Sequence, residues 1–466
     1  MKTYAITTFG CQMNHSDSER IAAVCEAMGY AKAKEADIAD LYVINTCSIR
    51  QKAEDRVLGM GKRFYKLKLQ NENLKIVLTG CMAKRDLRQG SEKSEEYKEK
   101  YTGKLQKQMP WLDIVLEIND IHKLPDILGE TVNVTYDEYF AVKPKYNSKF
   151  QAFVPISTGC NKFCTFCIVP FTRGEEIYRP YEQIYNEVKN LVDMGYKEIT
   201  ILGQNVNSWK SDRSGHLGIP VPKYRKSEYI NPDYMDFANL MEALSQIEGD
   251  FWLRFTSSHP YDINPRLIDV IAENKNIAKQ IHFALQAGSD SVLKRMNRHY
   301  TVAEFREKVD LIRKKIPGVS ITTDIIVGFC GETDQQFEET LKLCEELKFD
   351  QIYISEYSQR QGTIASKFYK DDIPKEVKAK RKELLDAVLK KGVLENNRKL
   401  IGSEQTALVY KTKSRKTSGI FAKTTHGKDV FVNIPDNVKP PQLSEFINVK
   451  ITDAREFRLE GEIIKR

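Results

Sequence analysis

The chain reads as an α/β protein in three parts: an N-terminal open parallel α/β domain, a central partial (β/α)6 barrel and a C-terminal small five-stranded β-barrel. Three observations predict this. Apolar β-rich runs alternate with amphipathic helical stretches up to about residue 380; the charged helical stretch "PKEVKAKRKELLDAVLKKGVLENNRK" then intervenes; five short strands with polar turns follow. At 466 residues the chain is too long for one core, and domains of roughly 150 residues divide it into 1–143, 144–380 and 396–466.

In the first part, "YAITTFGC", "LYVINTC" and "KIVLTGC" each end an apolar run at a cysteine: Cys11, Cys47 and Cys81. Between the first two, Ser16 and Glu19 have capping-box spacing, and Ile21, Val24, Cys25 and Met28 recur at helical intervals. Strand, helix, strand implies parallel strands with right-handed crossovers. All three cysteines then lie beyond the carboxyl ends of strands, the edge where open α/β sheets bind ligands.

In the second part the expected strands are "AFVPIST", "EITILGQN", "WLRFTSS", "IHFALQAG", "ITTDIIVGF" and "QIYISEYS", separated by helices such as 181–194 and 301–315. Such a β/α barrel gathers its chemistry at the carboxyl ends of its strands. In the third, "QTALVYKTK", "GIFAKTT", "DVFVNIP", "FINVKITDAREF" and "LEGEIIK" make a small closed or nearly closed barrel of the OB kind. The hydrophilic stretches 88–109 and 211–232 read as surface insertions.

Aliphatic and aromatic residues make up 41% of the chain, ordinary for a folded protein. The N-terminus lacks a signal-peptide core, and no run approaches the roughly 18 apolar residues of a membrane span. A cytoplasmic protein without membrane association is expected. In that reducing compartment nine cysteines point to metal binding or chemistry rather than disulfides. The net charge of +8 is mild, but residues 398–466 hold 14 Lys and Arg against 8 Asp and Glu, so the surplus concentrates in the tail.

Chemistry concentrates in "STGCNKFCTFCIVP". Cys160, Cys164 and Cys167 are followed by Ile168, Val169 and Pro170, with no fourth ligand. Structural zinc takes four ligands, and ferredoxin-type clusters also close with a fourth cysteine. Three thiols on a four-iron cluster leave one iron open to a non-protein ligand, which is what S-adenosylmethionine needs to bind through its amino and carboxylate groups. A zinc knuckle completed by a distant residue is the alternative. Cys11, Cys47 and Cys81 suggest a second three-thiolate site, against the alternative that each is a small buried hydrophobe. Cys25 and Cys344 on apolar helix faces, and Cys330 in a Gly-flanked turn, read as packing or loop residues.

"TFGCQMNHSDSE", "NTCSIR", "GCMA", "GCNKFCTFCIVPFTRGEE", "LGQNVNSW", "RFTSSHP", "LQAGSDSVLKRMNR" and "TDIIVGF" together resemble the radical S-adenosylmethionine methylthiotransferases, and the N-terminal motifs resemble the MiaB type acting on isopentenyladenosine in tRNA. The resemblance implies two 4Fe-4S clusters, one on Cys160, Cys164 and Cys167 that cleaves S-adenosylmethionine and an auxiliary one on Cys11, Cys47 and Cys81. It also implies a C-terminal RNA-binding TRAM domain and conversion of N6-isopentenyladenosine at tRNA position 37, next to the anticodon, to its 2-methylthio form. The expected partners are a tRNA anticodon stem-loop carrying isopentenyladenosine and an external electron donor, with the chain a monomer. No catalytic residue is assigned beyond the cluster ligands.

Cofactor contacts are expected at predicted strand ends: Arg173, Glu175, Gln204, Asn205, Ser258, Gln286, Ser289 and Asp324. Rim polarity and helix capping are their alternative reading. In the tail, Lys411, Lys413, Arg415, Lys416, Lys423 and Lys428 suit phosphate contacts, while Phe421 and Phe431 either stack on bases or fill the core. "VGFCGET" carries Cys330 where the family commonly has proline, and "YSQRQGTIAS" lacks two expected prolines. Competing readings are a methylthiotransferase acting on threonylcarbamoyladenosine tRNA or a ribosomal protein, and a noncatalytic iron-sulfur RNA-binding protein.

Overall fold

The computed structural model describes residues 1–48, 51–83, 104–132, 136–212, 234–412, 419–434 and 439–464. Most of both insertions, and Lys413, Arg415 and Lys416, lie outside these residues. The described ends of the insertions are the helix Lys104–Gln108 and the strand Lys210–Asp212, which pairs antiparallel with Tyr234–Asp236.

The N-terminal part is an all-parallel sheet in the order Ala31–Lys32, Thr3–Phe9, Leu41–Thr46, Lys75–Gly80, Ile114–Val115. Leu41–Thr46 is buried at every position, as a parallel strand covered on both faces should be. The two edge strands escaped the sequence reading because a two-residue strand carries no periodicity. Phe9 pairs with Thr46, and Thr46 with Gly80, so the three cysteine-bearing strands end level.

The helix after the first strand runs Gln12–Ala27, one turn earlier than Ser16 suggests. Asn14 rather than Ser16 serves its start, accepting the Cys11 N–H at 3.2 Å. Ser16 and Glu19 are buried and turn to the central part, where the Ser16 hydroxyl donates to the Phe153 carbonyl at 3.4 Å and a Glu19 carboxylate oxygen accepts the Asn147 N–H at 3.0 Å.

Six parallel strands follow in chain order in the central part: Gln151–Pro155, Glu198–Leu202 and Trp252–Phe255 in one sheet, then Gln280–His282, Ser320–Val327 and Gln351–Glu356 in another. The parallel bridges Leu253 to Ile277 and Ser258 to Phe283 join them into an open partial barrel. Helices Tyr181–Asp193 and Val302–Lys315 cover it. Val154, Ile199, Ile201, Leu253, Ile281, Ile321 and Ile325 face this helical layer and form its core. Alternation along the strands leaves Thr200, Arg254, His282, Thr322 and Asp324 on the opposite, inner face.

The helix Lys375–Arg398 leads into a closed barrel of Glu404–Lys411, Gly419–Thr424, Asp429–Asn433, Phe446–Ala454 and Leu459–Ile463. Its core takes alternate residues, among them Val409, Ile420, Ala422, Val430, Val432, Val449 and Ile451. Phe421 and Phe431 lie outside that core as cross-strand partners on the outer face, their rings 5.2 Å apart, with Tyr410 6.4 Å from Phe421. Lys411, Lys423 and Arg458 stand over these three rings.

The small barrel docks on the amino ends of the central strands, opposite the cysteines. Arg254 donates to the carbonyls of Thr424 at 2.9 Å and Thr425 at 3.2 Å, Trp252 meets Phe446 edge-on at 4.7 Å, and Lys428 pairs with Asp350. Lys428 corrects the sequence expectation: its side chain is 12% exposed and serves the interface rather than a phosphate.

Candidate active site

Cys160, Cys164 and Cys167 occupy the loop beyond Gln151–Pro155 and the short strand Ser157–Thr158. Gly159 has a left-handed backbone (φ +83°), and a Cβ there would meet the Glu175 carbonyl oxygen at 1.9 Å. Only glycine lets the loop lie against residues 173–176. Cys160 N–H donates to Gly174 O at 3.2 Å, and Gly159 N–H donates to Gln204 Oε1 at 2.6 Å.

Burial pushes the Cys160 thiol up to about 11 and Cys167 up to about 12, and Cys164 adds repulsion to both. The three thiols are thus within electrostatic reach of one another. Arg298 donates to Cys164 Sγ at 3.2 Å, a contact that places positive charge beside a ligand about to become anionic. Arg298 stands at the end of the "LQAGSDSVLKRMNR" motif, but nothing in its spacing reveals the contact.

Around the loop, Ser157 Oγ, Thr158 Oγ1, Asn205 Oδ1 and Ser258 Oγ are buried without a protein partner among the described residues. Each such atom costs about 1–3 kcal/mol unless a ligand or water satisfies it. Ser257 (φ +66°) and Gln286 (φ +74°) hold left-handed backbones, strain of about 1–3 kcal/mol that characteristically collects at ligand sites. Unsatisfied donors and acceptors beside three thiols suit the amino-acid end of S-adenosylmethionine.

The eight expected cofactor contacts divide. Asn205, whose Nδ2 donates to Asp262 at 2.7 Å, keeps a free acceptor, and Ser258 keeps its hydroxyl. Gln204 supports the cysteine loop, Glu175 contributes its carbonyl beneath Gly159 while its side chain is exposed, and Gln286 pairs by backbone with Ile325. Ser289 is buried, its Oγ 3.2 Å from Ser291 Oγ, and it lines a cavity of about 560 Å³ with Arg306, Glu339 and Lys342 of the helical layer. Asp324 lies mid-strand on the inner face rather than at a strand end, because its strand begins at Ser320 and ends at Val327. There its Oδ2 lies 2.9 Å from His282 Nε2, whose Nδ1 lies 3.0 Å from Thr322 Oγ1. Cys25, Cys330 and Cys344 are buried core residues.

At the N-terminal sheet, Cys47 and Cys81 each follow directly on paired residues, Thr46 and Gly80. Gly80 (φ +92°) allows this, since a Cβ there would meet Thr46 O at 2.5 Å. Asn45 Nδ2 donates to Asn14 O at 2.7 Å and Asn14 Nδ2 to Asn45 Oδ1 at 3.1 Å, which ties the "GCQMN" turn to the "NTC" strand. Cys47 N–H donates to Phe9 O at 2.7 Å. The Cys11 thiol donates to Asn14 Oδ1 at 3.5 Å at the same sheet edge, and Cys47 and Cys81 meet there. A hydrogen bond from Cys47 lowers Cys81 to about 6 against its burial, with the Arg173 guanidinium assisting.

Arg173 spans the two sites: its Nε donates to Cys81 Sγ at 3.2 Å and its Nη2 to Asp17 Oδ2 at 2.6 Å. Asp17 and Tyr139, which donates to it at 2.5 Å, were not legible as site residues. Among the described residues no three His, Cys, Asp or Glu side chains converge on a single ion. Thiols around a four-iron cube bind different irons, so each triad offers the donor type without needing that convergence.

Residues 154–344 match the radical SAM superfamily, 3–102 the uncharacterized protein family UPF0004 and 398–464 the TRAM domain. Over 472 residues, 99% of this chain and 93% of the relative, the sequence is 38% identical to a tRNA-2-methylthio-N(6)-dimethylallyladenosine synthase of Thermoanaerobacter pseudethanolicus. The chain belongs to the family of these synthases. The synthase of Dictyoglomus thermophilum is 37% identical over 476 residues, 100% of this chain and 99% of the relative. A radical S-adenosylmethionine methyltransferase from Kitasatospora setae shares the fold, with a TM-score of 0.51 at 11% identity over 76% of this chain and 73% of that one. Membership in the radical SAM superfamily carries a 4Fe-4S cluster and S-adenosylmethionine, and the thiol loop with its unsatisfied polar atoms fits both. No helix among the described residues is long and apolar enough to cross a membrane.

Proposed function

We propose that the protein is a tRNA methylthiotransferase that converts N6-isopentenyladenosine at position 37 to 2-methylthio-N6-isopentenyladenosine. The observation that carries this reading is the full-length similarity to the synthases, with both cysteine triads at the carboxyl edges of their sheets. The proposed ligands are Cys160, Cys164 and Cys167 for one 4Fe-4S cluster and Cys11, Cys47 and Cys81 for a second. The three domains are 1–143, 144–380 and 396–466, in a monomer that takes electrons from an external donor in the cytoplasm.

When bound, the clusters and S-adenosylmethionine supply a carbon radical able to break an aromatic C–H bond, together with the transferred sulfur and methyl. The chain's own part is positional. Gly159, Gly174 and Gln204 hold the central thiols in one orientation, and Arg298 offsets the charge on Cys164. Asn205 and Ser258, with Ser157 and Thr158, offer hydrogen bonds to the cofactor's polar end. The Asn14 and Asn45 pair holds Cys11 beside Cys47 and Cys81. Tyr410, Phe421 and Phe431, flanked by Lys411, Lys423 and Arg458, provide stacking faces and positive charge for RNA. A loop adenine is already unpaired and reaches a pocket at modest cost.

The test is an anaerobic assay of reconstituted protein with S-adenosylmethionine and two anticodon stem-loops, one isopentenylated and one with plain adenosine, read by nucleoside mass spectrometry. The expected result is a methylthio product confined to the isopentenylated loop. Accumulation of deoxyadenosine with neither loop modified would leave the radical chemistry standing and reject the substrate.

A further inference from the structure

Arg173 and Gly174 are consecutive, yet they touch different cysteine sites. The Arg173 side chain donates from Nε to Cys81 Sγ at 3.2 Å, and the Gly174 carbonyl accepts the Cys160 N–H at 3.2 Å. The guanidinium is anchored on its other edge by Asp17, through Nη2 at 2.6 Å and Nη1 at 3.3 Å. Side-chain exposures of 2% for Arg173 and 0% for Asp17 mean that water does not compete for these contacts. Asp17 is in turn held by the Tyr139 hydroxyl at 2.5 Å, and Arg20 stacks over the Tyr139 ring at 5.2 Å. The dipeptide therefore belongs to the central domain, while Asp17, Tyr139 and Cys81 all belong to the N-terminal one.

We propose that Arg173 is a positioning residue that fixes the Cys81 thiolate relative to the Cys160 loop, so that the two sites face each other at a set separation. This rests on the reading of Cys11, Cys47 and Cys81 as a second cluster site. A planar guanidinium can serve a carboxylate with one edge and a sulfur with its Nε–H simultaneously; a lysine ammonium lacks that fork. Hydrogen bonds to a ligand sulfur also tune a cluster's potential, and partners of this kind typically alter affinity or activity by about 10- to 100-fold when removed. A contact that only packed the two domains together would show neither the dependence on Nε–H nor an effect confined to one cluster.

The experiment compares anaerobically reconstituted full-length wild type with R173Q, R173K and the double variant D17N/R173Q, which removes both buried charges together and so avoids an unpaired carboxylate. Iron content, the electron paramagnetic resonance signal of each cluster, deoxyadenosine release and methylthio product are measured on the same samples. The expected result is a shifted signal from the auxiliary cluster and a fall of about 10- to 100-fold in product per deoxyadenosine in all three variants, with the other cluster's signal retained. R173K failing to restore the ratio is part of the expectation. An unchanged auxiliary signal and product ratio in R173Q, or equal loss of both clusters in the double variant, would overturn the proposal. C81A separates the two claims: if it leaves the auxiliary signal intact, the cluster reading of Cys81 falls; if it removes that signal while R173Q changes nothing, only the role of Arg173 falls.

Discussion

Cys160, Cys164 and Cys167 lie within eight residues on one loop beyond one strand, whereas Cys11, Cys47 and Cys81 depend on three strands ending level and on the Asn14 and Asn45 pair beyond them. The chemistry differs as well. Burial holds Cys160 and Cys167 near 11 and 12, while Cys47 and Arg173 bring Cys81 down to about 6. A site built from one loop is written in its spacing. A site built from strand register inherits every defect of its sheet.

The largest expected effect follows from replacing Cys160, Cys164 and Cys167 with alanine. Release of deoxyadenosine and formation of methylthio product should both fall to the blank, because no chemistry starts without the first cluster. Retained deoxyadenosine release, measured by chromatography, would break the assignment of that loop.

Substitutions at the two glycines should have intermediate effects. G159A places a Cβ 1.9 Å from the Glu175 carbonyl, and G80A places one 2.5 Å from the Thr46 carbonyl, each in a left-handed backbone that alone costs about 1–3 kcal/mol. G159A should lower the iron bound at the central loop and G80A the iron bound at the N-terminal edge, each sparing the other. Spectroscopy of the separate cluster signals, beside thermal unfolding curves, checks this.

Iron loading should also respond to pH differently at the two sites. Thiols raised to about 11 and 12 are protonated at neutral pH, so binding iron expels their protons, and affinity rises as pH rises toward those values. Each proton released adds about tenfold per pH unit. Cys81, lowered to about 6 chiefly by the hydrogen bond from Cys47, has one proton fewer to lose at pH 7, so the N-terminal site releases fewer on binding iron. Titrating iron between pH 7 and 9 into variants retaining one triad should give the steeper rise for the central loop.

The smallest effect is expected on the small barrel. F421A should weaken binding of an anticodon stem-loop by about 1–3 kcal/mol while leaving the unfolding temperature unchanged, since that ring lies outside the barrel core. Fluorescence anisotropy at fixed salt measures it.

Much of this molecule is legible in its sequence for identifiable reasons. The strands ending at the three N-terminal cysteines and the central loop follow from period and spacing, which are local. The start of the helix Gln12–Ala27 was misplaced because Asn14 supplies the hydrogen bond that Ser16 was expected to make. Asp324 sits mid-strand because pairing begins at Ser320 and the strand runs on to Val327, which polarity alone does not show. Lys428 resembles any basic tail residue until Asp350 of another domain is seen beside it. The contacts of Arg173 to Asp17 and Cys81 could not be read from the sequence, since they form only through packing of segments far apart in the chain.

The most direct test of two cysteine sites with divided labour is the alanine variant of Cys11, Cys47 and Cys81, assayed anaerobically with the isopentenylated stem-loop. Deoxyadenosine should still be released and no methylthio nucleoside should form. Methylthio product from that variant, or loss of deoxyadenosine release while the central cluster remains intact, would contradict that division.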